Sequence, residues 1–232
     1  MRGLILVEGQ TEERLVKDTI APAFWAMNLF LDPTILVTKK VKDGPNFKGG
    51  VTSYDRCKND LSKLLKSSGG ALVTTMLDYY GLPHDFPGMN SRPNASARER
   101  AQHVQSALWA DLGAPSNFVP FLAVHEFEAW LFSCPTTLPN VLTMPNPSPE
   151  FARLCSYYES PEEINDGHET APSKRIVNIF PAYKKTLHGP TAAKRIGLSK
   201  IRSACPHFNA WLERLESMAP GPSSSSNELC AY

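Results

Sequence analysis

The sequence predicts an α/β protein built on a parallel sheet flanked by helices. The first observation behind this is order. Short apolar runs alternate with helix-patterned segments across residues 1–133, the arrangement that covers both faces of a parallel sheet. The second is the texture of the runs at 3–7, 71–77 and 118–124, which are almost continuously apolar, as strands buried on both faces are. The third is how they stop. Gly3 to Val7 runs into Glu8, Ala71 to Leu77 into Asp78, and Phe118 to Val124 into His125-Glu126. Right-handed crossovers bring the carboxyl ends of parallel strands to one edge, where open α/β sheets bind their ligands.

Taken in order, strands are expected at 3–7, 34–38, 71–77 and 118–124, and helices at 11–27, 54–66, 95–112 and 126–132. Thr11, with Glu12 and Glu13 behind it, reads as an N-cap leading an acid-rich first turn. In the first helix Leu15, Ile20, Phe24 and Met27 hold roughly one face, with Pro22 expected to kink it. Phe127, Trp130, Leu131 and Phe132 read as core, as do Trp211 and Leu212 in a closing amphipathic helix. The segment 44–50 is a Gly-rich, basic loop without the Gly-Lys-Ser/Thr ending of a phosphate loop.

Four regions are expected: an α/β metal-binding domain at 1–133, a Pro-rich linker at 134–149, a basic helical portion at 150–218 and a disordered tail at 219–232. Hydrophobic content of 42% and charged content of 20% are those of a globular protein. No apolar run approaches the ~20 residues of a membrane span, and Met1-Arg2 leads directly into a strand. Neither a signal peptide nor a membrane partner is expected, and the cytoplasm is the expected compartment. Cys57, Cys134, Cys155, Cys205 and Cys230 are scattered without a Cys-x-x-Cys pair, which suits reduced thiols and gives no structural zinc site.

The net charge of +1 conceals a basic tract. Between 171 and 203 the chain carries Lys174, Arg175, Lys184, Lys185, Lys194, Arg195, Lys200 and Arg202 and no acid. A basic tract beside carboxylates suits a polyanion such as DNA or RNA, although a solvated basic helix face accounts for it equally. Carboxylates gathered at one sheet edge raise each other's pKa unless a cation offsets them. Hard oxygen donors without a His/Cys cage favour Mg²⁺ or Mn²⁺. For Glu12 and Glu128 a first-turn helical role competes with ligation.

Val7-Glu8-Gly9 ending the first strand and Asp78 ending a later one resemble a Toprim domain, the metal-binding module of topoisomerases, bacterial primases and overcoming-lysogenization-defect (OLD) nucleases. Val-Glu-Gly-Gln-Thr-Glu, Leu-Asp-Tyr-Tyr-Gly-Leu-Pro, His-Glu-Phe-Glu-Ala-Trp-Leu-Phe and the C-terminal Pro-Ser-Lys-Arg and Ala-Cys-Pro-His-Phe-Asn-Ala-Trp-Leu together resemble a family of small, stand-alone Toprim-like bacterial proteins. The resemblance implies a Toprim-like, Rossmann-like fold with a helical C-terminal portion. It implies that Glu8 and Asp78 are catalytic and bind metal, with Glu12 a second acid on the same ion. The family's second aspartate is replaced by Tyr80, which leaves a ligand to be supplied by Glu126 or Glu128. Glu126 is the preferred of the two, since residues at i and i+2 point apart. Lys174 resembles the lysine that OLD-type nucleases place near the scissile phosphate, and Lys194-Arg195 is a second candidate. Lys174, Arg175, Lys184, Lys185, Lys194 and Arg195 are the expected nucleic-acid contacts.

The expected function is a metal-dependent nuclease. By resemblance it is an effector of bacterial anti-phage defence, acting with a partner ATPase encoded nearby. The alternative is a non-catalytic module that binds nucleic acid or the ATPase through a degenerate site. Nucleotidyl transfer, a third reading, finds no nucleotide-binding signature.

Overall fold

The computed structural model describes residues 1–36, 51–143, 148–165 and 170–221. Its sheet is parallel throughout. β1 (Arg2–Val7) lies between β2 (Phe30–Ile35) and β3 (Leu72–Asp78), and the far side of β3 pairs with β4 (Phe118–Val119) and β5 (Leu122–Ala123). Val7 stands opposite Met76, so Glu8 and Asp78 leave the sheet side by side.

Alternation along the strands divides the core. Ile5, Val7, Leu72, Met76 and Phe121 face one layer of helices, and Leu4, Leu6, Val73, Leu77 and Leu122 face the other. The second layer is α3 (Tyr54–Ser67) and α4 (Ala97–Asp111). α4 opens on a capping box in which Ser96 and Glu99 satisfy each other's backbone N–H. The first layer is a helical stretch from Gln10 to Met27 together with α5 (Thr137–Val141), α6 (Pro149–Tyr157), α7 (Pro172–Ile179), α8 (Lys185–Ile196), α9 (Leu198–Ala204) and α10 (Pro206–Met218).

Several expectations shift for local reasons. The strand expected at 34–38 is centred earlier, because an edge strand tolerates Asp32-Pro33 where a central one would not. Residues 37 and 38 and the loop 44–50 lie outside the described residues. The run 118–124 is broken at Pro120, which has no N–H for the ladder. The Thr75 hydroxyl spans the gap, donating to Phe121 O and accepting from Phe121 N–H, each at 2.8 Å. Gly9, extended, is the residue before the first helix, and Thr11 is buried inside it. That helix is α1 (Gln10–Leu15), a π-turn Val16–Ile20 and α2 (Ala21–Phe24), then a 3₁₀ turn to Met27. The wide turn lies where Pro22 removes a backbone donor.

The helix expected at 126–132 is a 3₁₀ stretch, Phe127–Ser133, whose Phe127, Trp130, Leu131 and Phe132 are core as expected. Within the expected linker at 134–149, residues 134–143 are more regular than expected, since α5 lies there with Leu138 fully buried, and residues 144–147 lie outside the described residues. α10 is tied to the sheet by a Trp211 Nε1–H donating to Thr74 Oγ1 at 2.9 Å and by stacking of Trp211 on Phe121 at 4.3 Å. Of the tail, residues 222–232 lie outside the described residues. Among the described residues no helix is long and apolar enough to cross a membrane. Cys57, Cys134, Cys155 and Cys205 are free thiols.

Candidate functional site

The acids arrive on four pieces of backbone. Glu8 follows β1, Glu12 lies one helical turn later in α1, Asp78 ends β3, and Glu126 and Glu128 follow β5. The Asp78 N–H donates to Glu8 Oε1 at 2.7 Å, joining the two central strand ends. Gly9 lets the Glu12 side chain fold back on the turn, because a Cβ there would stand 3.2 Å from Glu12 Oε2. Glu126 accepts the Ser173 N–H at 3.0 Å, so the amino end of α7 faces a carboxylate. Glu128 is fully buried.

Among the described residues, the cation paired with these acids is Lys185. Its Nζ lies 3.1 Å from Glu128 Oε2, 3.9 Å from Glu12 Oε1 and 5.3 Å from the centre of the Phe127 ring. As the first residue of α8 it is positioned by close packing. Gly189 brings α8 against Phe127 and Tyr183, where a Cβ would meet Phe127 Cζ at 2.6 Å. Pro190 cannot donate to the Thr186 carbonyl four residues back. Arg14 Nη1 of α1 donates to that carbonyl instead, at 3.2 Å.

One ammonium does not neutralise so many acids. Burial, the Glu12 charge and the Glu126 charge raise the Glu8 pKa to about 7, against the lowering bond from Asp78 N–H and the attraction of Lys185. Burial likewise raises Glu128 to about 7 despite its ion pair, because Lys185 is shared. Asp78 is held well above the ordinary aspartate range by burial and then by Glu8. Burial alone would lower the Lys185 pKa, but Glu128, Asp78, Glu12 and Glu126 raise it well above the lysine range. Tyr80, at 39% exposure, is raised by burial and by the charges of Glu126 and Asp78, so it borders the cluster without supplying a carboxylate. Among the described residues, the buried Glu128 carboxylate is met by Lys185 and by the Tyr183 hydroxyl, neither in well-aligned hydrogen-bond geometry. Glu128 therefore has acceptor capacity to spare.

Lys174 lies exposed on α7, beside Ser173. Lys184, Lys194 and Arg195 are exposed too, the last two in the final turn of α8, where they complement the helix dipole. Arg175 is engaged in structure, donating through Nε to Thr170 O at 2.8 Å. His125 is buried with Nδ1 3.3 Å from Asn165 Nδ2, and His84 is exposed on its loop. By sequence Lys185 is one of the general nucleic-acid contacts, and Tyr183 carries no expected role. No local signal separates Lys185 from its neighbour Lys184, since only the packing of α8 on Phe127 brings it to the acids.

The chemistry of the donors fits a divalent cation: hard oxygens, crowded, with spare acceptor capacity on Glu128. Their placement does not yet make a cage. Among the described residues no three His, Cys, Asp or Glu groups stand ready to hold a metal.

The sequence profile of DUF4276, a domain of unknown function, matches residues 7–216. The chain belongs to the DUF4276 family. In this DUF4276 protein, the matched span takes in Glu8, Glu12, Asp78, Glu126, Glu128 and Lys185. The C-terminal region of the Burkholderia pseudomallei OLD protein is similar in structure at 15% identity and a TM-score of 0.45, over 94% of this chain and 98% of that one. So distant a likeness does not speak to chemistry. No curated protein matches the chain.

Proposed function

We propose that this DUF4276 protein is a Mg²⁺- or Mn²⁺-dependent nuclease with a Toprim-like active site at the carboxyl edge of β1, β3 and β5. One observation carries the reading. Glu8, Glu12, Asp78, Glu126 and Glu128 crowd around Lys185 with raised pKa values on Glu8, Asp78 and Glu128. Such a cluster is costly to bury unless a further cation offsets it. Glu8 and Asp78 would hold that ion from adjacent strand ends, with Glu126, Glu12 and Glu128 as further oxygen donors. When bound, the cation supplies Lewis acidity toward a phosphodiester and an acidified water.

The chain's own share is positioning and charge. The bond from Asp78 N–H fixes the Glu8 carboxylate, and the amino end of α7 fixes Glu126. Lys185, or Lys174 from its exposed place on α7, would neutralise charge that builds on the phosphate. Nucleic acid, DNA or RNA, is the substrate class supported by the exposed Lys174, Lys184, Lys194 and Arg195. A role as a cytoplasmic effector of anti-phage defence alongside a partner ATPase rests on the sequence resemblance. Tyr80 in place of a second acid, and a cluster already holding a lysine, favour a second reading, a non-catalytic module that binds nucleic acid or that ATPase.

The deciding experiment incubates plasmid DNA and structured RNA with wild type or Glu8→Gln in Mg²⁺, Mn²⁺ or EDTA. Metal-dependent cleavage is expected, reduced ~10²-fold or more in Glu8→Gln. Salt-sensitive binding without cleavage by wild type would replace the nuclease with the binding module.

A further inference from the structure

Three observations about Lys185 point beyond that reading. Its ammonium is at ion-pair distance from Glu128, at 3.1 Å, and from Glu12, at 3.9 Å, while no three acids among the described residues stand ready for a metal. Its side chain is 38% exposed, whereas that of Glu128 is wholly buried and that of Glu12 is 9% exposed. The lysine side chain therefore has a route to solvent that its two ion-pair partners lack. Finally, its backbone is anchored. Arg14 Nη1 donates to Thr186 O at 3.2 Å, the Lys184 N–H donates to His188 Nδ1 at 2.9 Å, and Gly189 is pressed against Phe127. The long aliphatic stem can rotate outward while α8 stays in place.

We propose that the Lys185 ammonium is an exchangeable occupant of the site, a built-in counter-ion that a divalent cation displaces toward solvent. This rests on the metal-binding reading above and adds a regulation to it. Without metal, Lys185 offsets part of the acidic charge through its pairs with Glu128 and Glu12. With a divalent cation held by these carboxylates, Lys185 would give up its pairs with Glu128 and Glu12 and its ammonium would turn outward, where it could meet an incoming phosphate. The lysine therefore competes with the metal, and its charge should weaken metal binding in the absence of nucleic acid.

The test is Mn²⁺ binding to the full chain, measured by titration calorimetry without nucleic acid, for wild type, Lys185→Met, Lys185→Arg and Glu8→Gln. Lys185→Met keeps the stem and removes the charge, and is expected to bind Mn²⁺ at least ~10-fold tighter than wild type, since a like charge at this range opposes the ion. Lys185→Arg, which keeps the charge, is expected to bind no tighter than wild type. Should Lys185→Met fold poorly in EDTA, its melting temperature is followed against Mn²⁺ instead, with a larger rise than wild type expected. Equal or weaker binding by Lys185→Met, with wild-type binding intact and lost in Glu8→Gln, would overturn the exchange and leave the metal site standing. Absence of binding in every protein would remove the metal site itself, and the exchange with it.

Discussion

At the scale of the residue, Glu128 carries the clearest physical signature. It is wholly buried, its ion-pair partner Lys185 is shared with other acids, and its pKa rises from 4.5 to about 7. Glu8 is raised from the same starting value to about 7, first by burial. An acid whose pKa is higher folded than unfolded favours folding in its protonated form. That contribution is fully present below the unfolded value of 4.5 and is lost as pH rises through about 7. In EDTA the melting temperature is therefore expected to fall across this window, each group giving up no more than about 3.4 kcal/mol of stability. Glu128→Gln, uncharged and of similar size, should flatten its share of the slope in calorimetric scans. A slope unchanged from wild type would mean that this carboxyl is ionised throughout. The same residues set the limit of local reading. Glu8 and Asp78 announce themselves as acids that end apolar runs, whereas Lys185 is one base in a basic tract.

At the scale of the element, α8 governs the site through one glycine. Alanine at 189 would gain ~1 kcal/mol of helix propensity. Its methyl would meet Phe127 Cζ at 2.6 Å and Tyr183 Oη at 2.9 Å, and Phe127 is a buried ring with no room to withdraw. Overpacking of this kind costs ~1–3 kcal/mol, so the clash outweighs the propensity. Gly189→Ala is expected to lower the urea midpoint and, by lifting the start of α8, to draw Lys185 away from Glu128. A midpoint at or above the wild-type value would show that α8 can retreat freely. The broken strand after β3 has a comparable local cause. Pro120 interrupts the ladder, and the Thr75 hydroxyl carries the two main-chain bonds that hold Phe121 beside β3. That detour sets where Glu126 and Glu128 emerge.

For the whole molecule, the helices after residue 134 share their core with the sheet. Phe121, Trp130, Phe208 and Trp211 belong to one cluster with Ile5, Val7 and Met76. Glu162 accepts the His207 and Phe208 N–H groups at 2.8 and 2.9 Å, and His207 Nε2 lies 3.0 Å from Leu122 O, binding the start of α10 to β5. A protein joined in this way should unfold in one transition, followed by far-ultraviolet circular dichroism and by tryptophan fluorescence together. Trp211→Ala should shift both signals equally, costing ~3–5 kcal/mol. Separate midpoints would establish that the helical portion after residue 150 is an independent unit.

The sequence alone determined the fold class and much of the acidic edge. Apolar runs that stop at Glu8, Asp78 and Glu126 are local patterns, and parallel topology then dictates that their ends meet. Only the tertiary structure decided which cation faces those acids. Lys185 reaches them because Gly189 admits the Phe127 ring, and because Arg14 takes the carbonyl that Pro190 leaves open. It likewise decided that Glu128 is buried and Lys174 exposed. Those outcomes depend on contacts between segments far apart along the chain, Phe127 with Gly189 and Arg14 with Thr186, for which spacing and composition carry no signal.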